Sequence, residues 1–198
     1  MGSKRIVVGI TGATGVVYGV RLLECLREAG VDTDLVISRW GVRTLLHETN
    51  LTREAVEALA TTVHLVTDMG ATISSGSYLH AGMVVAPCSA RTLAAIAHGY
   101  GDSLIHRAAD VTLKERRPLV LVVREAPLSA LHLANMLTLA RMGAVIMPPV
   151  PAFYQQPRTI DDLVDHTVAR ILDQLGIVHS SSHRWSGEMS LGGEGDAD

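Results

Sequence analysis

The stretch that decides the fold is Arg5-Ile6-Val7-Val8-Gly9-Ile10-Thr11-Gly12-Ala13-Thr14-Gly15-Val16-Val17-Tyr18-Gly19. Its apolar run over residues 6–10 predicts a central parallel strand, because an edge strand would alternate apolar and polar side chains. Gly9, Gly12 and Gly15 permit a tight turn into a helix whose free N–H groups and positive dipole end favour an anion. The stretch therefore predicts a strand, a phosphate loop and a helix. A tight turn without a ligand is the open alternative.

The remainder of the chain alternates short apolar runs with amphipathic segments, a pattern typical of an α/β domain. Because 198 residues suffice for one such domain but not comfortably for two, we predict a single domain over residues 1–177. Residues 178–198 are predicted to form a polar tail that is partly disordered or docks on a neighbouring subunit. Further strands are predicted at residues 33–37, 82–88, 119–123 and 144–147, and helices at residues 20–29, 40–50, 52–60, 89–98, 102–117, 127–142 and 159–175.

Composition excludes several classes of protein. A formal net charge of -3 with interspersed signs argues against a nucleic-acid partner. The apolar runs are too short to span a bilayer and the N-terminus lacks a signal peptide, so we expect a cytoplasmic protein without a membrane partner. Cys25 and Cys88 are too few for a disulfide framework and are expected to be reduced. The histidines lack metal-ligand spacing on a predicted element, so we expect no metal.

Two polar segments are candidate anion sites. Residues 72–79, rich in Ser and Gly, form either a plain surface loop or an anion-binding nest. After the strand at residues 82–88, Ser89 and Thr92 open a helix, and the nearby Arg91 favours an anion over mere capping. Cys88 is either a nucleophile or, since no base lies beside it in sequence, a small buried residue.

Strand ends supply further candidates. The second strand ends in Ser38-Arg39 instead of the acidic residue that holds a dinucleotide ribose, which favours a mononucleotide over NAD. Arg124 and Glu125 follow the strand at residues 119–123, where ligands bind in open α/β sheets, although a mutual surface ion pair would also explain them. Asp102 is predicted to cap the helix at residues 102–117.

At this point the sequence resembles the UbiX-type flavin prenyltransferases, including the related B subunits of hydroxyarylic acid decarboxylases. The resemblance covers about residues 4–177. It is carried by Gly12-Ala13-Thr14-Gly15, Tyr18-Gly19-Val20-Arg21-Leu22-Leu23, Ser74-Ser75-Gly76-Ser77, Ala86-Pro87-Cys88-Ser89, Arg107-Ala108-Ala109-Asp110-Val111, Leu113-Lys114-Glu115-Arg116-Arg117-Pro118-Leu119-Val120-Leu121, Arg124-Glu125-Ala126-Pro127 and Met147-Pro148-Pro149-Val150-Pro151-Ala152-Phe153-Tyr154.

The resemblance implies a three-layer Rossmann-like α/β fold with a mostly parallel sheet, in trimers that assemble to a dodecamer. It implies transfer of a dimethylallyl group from dimethylallyl phosphate to N5 and C6 of reduced FMN, without metal. The prenylated FMN would serve a UbiD-type decarboxylase, and both ligands would lie at subunit contacts.

The resemblance also assigns residues by position. Thr14 stands where many members have Ser, and Arg91 where many have Lys, so a hydroxyl and a cation are kept. The implied FMN ligands are Gly12, Ala13, Thr14, Ser38, Ser89, Ala90, Arg91, Thr92 and Arg124. The implied donor-phosphate ligands are Ser75, Ser77, Lys114, Tyr154 and Arg170. The implied reaction-centre residues are Glu125, Glu48, Thr14 and Trp185.

Three function classes stay open at this stage: prenyl transfer, FMN-dependent cysteine decarboxylation on a related fold, and a subunit that only carries flavin. The run Ala86-Pro87-Cys88-Ser89 disfavours cysteine decarboxylation, because those enzymes have a Pro-Ala-Ser-Ala-Asn type of loop there. A flavin carrier has no use for the second, cationic site.

Overall fold

A parallel sheet organises the chain, and it positions every loop discussed below. The structure is a computed structural model that describes residues 4–179. The strands are β1 (Arg5–Ile10), β2 (Asp32–Ile37), β3 (Thr62–His64), β4 (Gly82–Cys88), β5 (Leu119–Val123) and β6 (Val145–Ile146). The helices are α1 (Val16–Glu28), α2 (Arg39–Glu48), α3 (Arg53–Glu57), α4 (Ala90–Ala97), α5 (Leu104–Lys114), α6 (Ala130–Arg141) and α7 (Ile160–Gln174).

The six strands pair in the order β3-β2-β1-β4-β5-β6, and all pairs are parallel. The predicted α/β fold is therefore confirmed, and β1 is central as its apolar run predicted. Because the strand order reverses between β1 and β4, a crevice opens there at the carboxyl ends of the strands. This crevice is the position where ligands bind in open α/β sheets.

Helices cover both faces of the sheet, which gives the three layers. Alternate side chains of β1 point to opposite faces: Ile6 and Val8 pack in one core cluster and Val7 in the other. The first cluster contains buried residues of α1, α2, α3 and α7. The second contains buried residues of α4, α5 and α6. Side chains of α5 and α7 are consequently separated by the sheet.

Several predicted boundaries were wrong. Asp102 does not cap α5, because Ser103 accepts the backbone bond from His106 at 3.4 Å. The sixth helix begins at Ala130 behind a Ser129 cap, not at residue 127, and α1 begins before residue 20. The edge strand β3 was not predicted, because three residues are too few for a period to show. Residues 72–79 are not wholly a surface loop, since the side chain of Ile73 is completely buried.

Candidate functional site

A cleft of about 470 Å³ lies at the switch point between β1 and β4. Its walls come from the residues that follow β1, β2, β3 and β4 and from the beginning of α5. Five of the residues assigned to FMN by sequence therefore lie together although three loops supply them. The lining residues are Thr11, Gly12, Ser38, Arg39, Trp40, Val66, Ser89, Arg91, Thr92, Asp102, Ser103, Ile105 and His106.

Thr11 joins the two loops that form the floor of this cleft. Its Oγ1 donates a hydrogen bond to the carbonyl of Pro87 at 2.7 Å and accepts one from the backbone N–H of Ser89 at 2.9 Å. The side chain is buried, so these bonds are shielded from water. Sequence reasoning missed this role. The available signal was a hydroxyl placed directly after a buried apolar strand.

Close approach of α2 explains why position 12 is glycine. A Cβ atom on Gly12 would lie 2.3 Å from the Cβ of Trp40, a distance that no packing allows. The Trp40 side chain is 60% exposed at the cleft, and the Arg43 guanidinium lies 4.8 Å from its ring centroid. An exposed tryptophan thus lines the cleft, and the sequence reading did not assign it.

The N-terminus of α4 provides an anion position. Ser89 caps the helix by accepting from the backbone N–H of Thr92 at 3.3 Å, and its hydroxyl also donates to Thr92 Oγ1 at 3.1 Å. The N–H groups of Ala90 and Arg91 have no acceptor within the helix, because they belong to its first turn. The Arg91 guanidinium adds a cation beside these amides. Together these groups suit a phosphate.

The N-terminus of α1 is not open to an anion, contrary to the prediction from the glycine pattern. Glu48 Oε2 accepts from the backbone N–H of Gly15 at 2.8 Å and of Val16 at 3.2 Å. Its carboxylate thus caps α1 from the end of α2. This carboxylate occupies the position where a phosphate would bind, so α4 is the better phosphate site.

Asp102 links two other groups of the cleft. Its Oδ2 lies 3.0 Å from Arg91 Nη2, and its Oδ1 lies 2.9 Å from His106 Nδ1. Burial lowers the pKa of His106, and the neighbouring carboxylate opposes this shift without cancelling it. The His106 ring is therefore neutral at pH 7. Because Ser103 caps α5, the Asp102 carboxylate is available to orient Arg91.

Arg124 and Glu125 follow β5 at the same sheet edge. The Arg124 N–H donates to the carbonyl of Cys88 at 3.1 Å, and half-buried Glu125 accepts from Ala126 N–H at 3.2 Å. In the part of the chain that the structure describes, no ion pair joins Arg124 and Glu125. Cys88 is fully buried, and burial raises the pKa of its thiol to about 12. Cys88 is thus the buried residue of the two alternatives and not a nucleophile.

The serines and the lysine assigned to the donor phosphate form a second cluster, at the opposite edge of the sheet. The hydroxyls of Ser75 and Ser77 are 2.9 Å apart, and the Lys114 ammonium pairs with Glu115. Lys114 ends α5 directly before β5 begins. These residues therefore lie near the amino ends of the strands, whereas the cleft lies at the carboxyl ends.

Of the other two residues assigned to the donor phosphate, Arg170 lies on α7 and Tyr154 lies before this helix. Arg170 is exposed and pairs with Asp173 at 2.6 Å. The Tyr154 ring meets the His166 ring edge-on, with centroids 5.9 Å apart. Since α5 and α7 cover opposite faces of the sheet, one chain does not bring the five predicted donor residues together.

Three further expectations concern Trp185, a metal site and a membrane-spanning helix. Trp185 lies outside the described residues. Across residues 4–179, no three His, Cys, Asp or Glu side chains form a group that could hold a metal ion. No helix in that same range is both long and apolar enough to cross a membrane.

The cleft has a size typical of ligand pockets, which span about 300–1,000 Å³. Its position at the switch point and its anion site on α4 are those of a nucleotide-binding α/β protein. A mononucleotide with one phosphate fits this arrangement, because α4 offers one open helix N-terminus with one adjacent cation.

Comparison with known proteins agrees with this class. The family model described as Flavoprotein matches residues 1–172. A probable UbiX-like flavin prenyltransferase from Streptomyces sp. (strain D7) is 59% identical over 184 residues, which cover 92% of each chain. The structure of AnUbiX in complex with FMN and dimethylallyl pyrophosphate is 51% identical with a TM-score of 0.94, covering 95% of this chain and 100% of that one.

A dodecameric FMN-dependent UbiX-like decarboxylase from Escherichia coli O157:H7 is 54% identical with a TM-score of 0.91. The match covers 92% of this chain and 100% of that one. The chain therefore belongs to the flavoprotein family and, within it, to the UbiX-like flavin prenyltransferases.

Proposed function

We propose that this protein transfers a dimethylallyl group from dimethylallyl phosphate to N5 and C6 of reduced FMN, closing a fourth ring. The observation that carries the proposal is the cleft with an anion site on α4, in a chain 51% identical to a UbiX protein solved with FMN and dimethylallyl pyrophosphate. Reduced FMN supplies the nucleophilic ring atoms. N5 bonds to the CH2 carbon of the donor as the donor C–O bond breaks; the phosphate keeps the electron pair, and the N5 proton leaves. The donor C=C bond then takes up a proton at one carbon, its other carbon bonds to C6, and the C6 proton leaves.

FMN would be held by residues of the cleft and of its rim. The α4 amides, Ser89, Thr92 and Arg91 suit the phosphate, and Asp102 keeps Arg91 in place. Ser38 caps α2 beside them by accepting from Gly41 N–H at 2.9 Å. The further FMN residues in this proposal are Gly12, Ala13, Thr14, Ala90 and Arg124.

The donor phosphate would be bound by Ser75, Ser77, Lys114, Tyr154 and Arg170. Within one chain the first three of these lie at the sheet edge opposite to the cleft. A strand the length of β1 (Arg5–Ile10) spans roughly 20 Å. A single chain thus cannot place this phosphate beside its own FMN, so the complete site needs more than one copy of the chain.

An exposed apolar surface supports assembly into a homo-oligomer of trimers and dodecamers. It includes Leu131, Leu133 and Leu137 on α6, and Val150 and Phe153 after β6. Exposed large apolar side chains are costly in water, and surface of this kind indicates protein contacts. We propose that neighbouring copies cover it and contribute donor residues to each other's clefts.

In this proposal a carboxylate and a hydroxyl transfer the protons. Glu125 is the acid/base group between ring proton and leaving phosphate, and Thr14 relays a proton. Glu48 holds the loop over residues 12–15 by capping α1. Trp185, which lies outside the described residues, is assigned to the reaction centre by the family resemblance alone. The product would pass to a UbiD-type decarboxylase in the cytoplasm.

The deciding experiment is anaerobic incubation of the protein with reduced FMN and a prenyl donor, followed by mass analysis of the flavin. Dimethylallyl phosphate and dimethylallyl pyrophosphate are tested in parallel. We expect a flavin heavier by one prenyl unit with at least one donor. Unmodified FMN with both donors would contradict prenyl transfer and leave a flavin carrier as the explanation.

A further inference from the structure

Residues 74–78, named here the serine loop, are held through their backbone by two arginines. The Arg107 Nε–H donates to the carbonyl of Ser74 at 3.1 Å. Arg117 uses both ends of its guanidinium: Nη1 donates to the Tyr78 carbonyl at 2.7 Å, and Nη2 to the Gly76 carbonyl at 2.8 Å. One planar cation therefore fixes two peptide groups of the serine loop at once.

The far end of the serine loop is anchored to the sheet. The Tyr78 hydroxyl donates to Asp34 Oδ2 at 2.9 Å, and the Asp34 side chain is completely buried. His64 Nε2 lies 2.8 Å from the other Asp34 oxygen, and Arg5 Nη1 lies 3.4 Å from Oδ2. A buried carboxylate with these partners is a rigid support.

The serine loop lies against the end of α5. A Cβ atom on Gly76 would be 2.7 Å from Lys114 Nζ and 2.2 Å from Glu115 Oε1, so the ends of these two side chains lie directly against the backbone of the loop. The residues on either side, Ser75 and Ser77, are exposed. The backbone of the loop is thus bound to the protein, while its two hydroxyls and the nearby ammonium are accessible to a ligand.

We propose that Arg117 is the positioning residue of the donor-phosphate site, and this proposal rests on the function proposed above. Its forked guanidinium holds the serine loop so that Ser75, Ser77 and Lys114 converge before a ligand arrives. A site organised in advance binds more tightly, because binding does not have to order the loop. Lysine keeps the charge but is a single point donor, so it cannot reproduce the fork.

The test compares Arg117→Lys, Arg117→Gln and the matched control Arg116→Gln under steady-state prenyl transfer. Arg116 is the exposed neighbour and has a positive φ of 55° that Gln would share, so the control removes the same charge one residue away. We expect both Arg117 variants to raise KM for dimethylallyl phosphate about tenfold or more, as for loss of one charged hydrogen bond. In both Arg117 variants we expect kcat at saturating donor and the affinity for FMN to change less than twofold. In the control Arg116→Gln we expect KM for dimethylallyl phosphate to change less than twofold as well.

An unchanged KM in Arg117→Lys would overturn the proposal. Equal losses for donor and FMN would overturn it as well, because a residue that positions the donor-phosphate site must affect the donor selectively. If the Arg117 variants do not assemble, Tyr78→Phe releases the loop at its other end and must also raise KM selectively for the proposal to stand. Absence of product with the unaltered protein would contradict the proposed function itself.

Discussion

The carboxylate of Glu48 meets the backbone N–H of Gly15 at 2.8 Å, although the two residues are 33 positions apart. This contact joins the end of α2 to the beginning of α1 and fixes the glycine loop between β1 and α1. It explains why α1 begins without a capping side chain of its own. It also leaves the N-terminus of α4, and not that of α1, open to an anion.

We expect Glu48→Ala to lower the free energy of unfolding by about 1 kcal/mol, the usual cost of losing an N-terminal cap. For a chain of this size the melting temperature should fall by about 2–4 °C at constant protein concentration. Glu48→Gln keeps an acceptor oxygen and should recover most of the loss. Equal melting temperatures for Glu48→Ala and the unaltered protein would refute the capping role.

Arg91→Ala should weaken FMN binding about tenfold, because a charged partner of the phosphate is lost. Asp102→Asn should weaken it less, since Arg91 stays present but is held less firmly. Titration of FMN by flavin fluorescence measures both affinities.

FMN binding should not need a metal ion, so the same titration with EDTA should give an unchanged affinity. Loss of binding that a divalent ion restores would disprove a metal-free site.

Arg170→Ala should weaken the donor far more than FMN, because its cation would contact the donor phosphate only. The measurement pairs KM for dimethylallyl phosphate with the FMN dissociation constant. Arg27→Ala, an exposed cation in the last turn of α1, is the control and should change neither. Equal losses for both ligands would indicate damaged assembly.

Glu125→Gln should bind both ligands normally yet slow product formation by about a hundredfold or more, the usual scale of general acid/base catalysis. The change keeps shape and hydrogen bonding but removes the titrating proton. Anaerobic single-turnover spectroscopy with reduced FMN reports the rate. Formation of the four-ring flavin at the unaltered rate would remove Glu125 from the mechanism.

Stability should fall as the pH drops below about 6.5, the ordinary pKa of histidine. Burial lowers the pKa of His106 in the folded chain, so the unfolded chain binds the extra proton first. Burial likewise lowers the pKa of His80 and His166. Urea unfolding at pH 7.5, 6 and 5 measures the free energy of unfolding. Its decrease between pH 7.5 and pH 5 should be smaller for His106→Asn than for the unaltered protein. The control His47→Asn, at an exposed histidine, should show the same decrease as the unaltered protein. A pH dependence in His106→Asn identical to that of the unaltered protein would contradict a contribution from His106.

Local sequence determined much of the architecture. The apolar runs at β1, β4 and β5 predicted buried parallel strands, since their continuity is a property of neighbouring residues. Ser89 was predicted to open a helix, and it caps α4, because a cap and the N–H from which it accepts lie three residues apart.

Tertiary structure decided the contacts that local sequence cannot contain. Glu48 caps α1, Thr11 joins two loops, and Arg117 holds carbonyls 39 and 41 residues away. The choice of Ser103 over Asp102 as the cap of α5 also depended on distant neighbours, since Arg91 pairs with Asp102. A short-range pattern reports hydrogen bonds between near neighbours, whereas these partners become neighbours only when the sheet has formed.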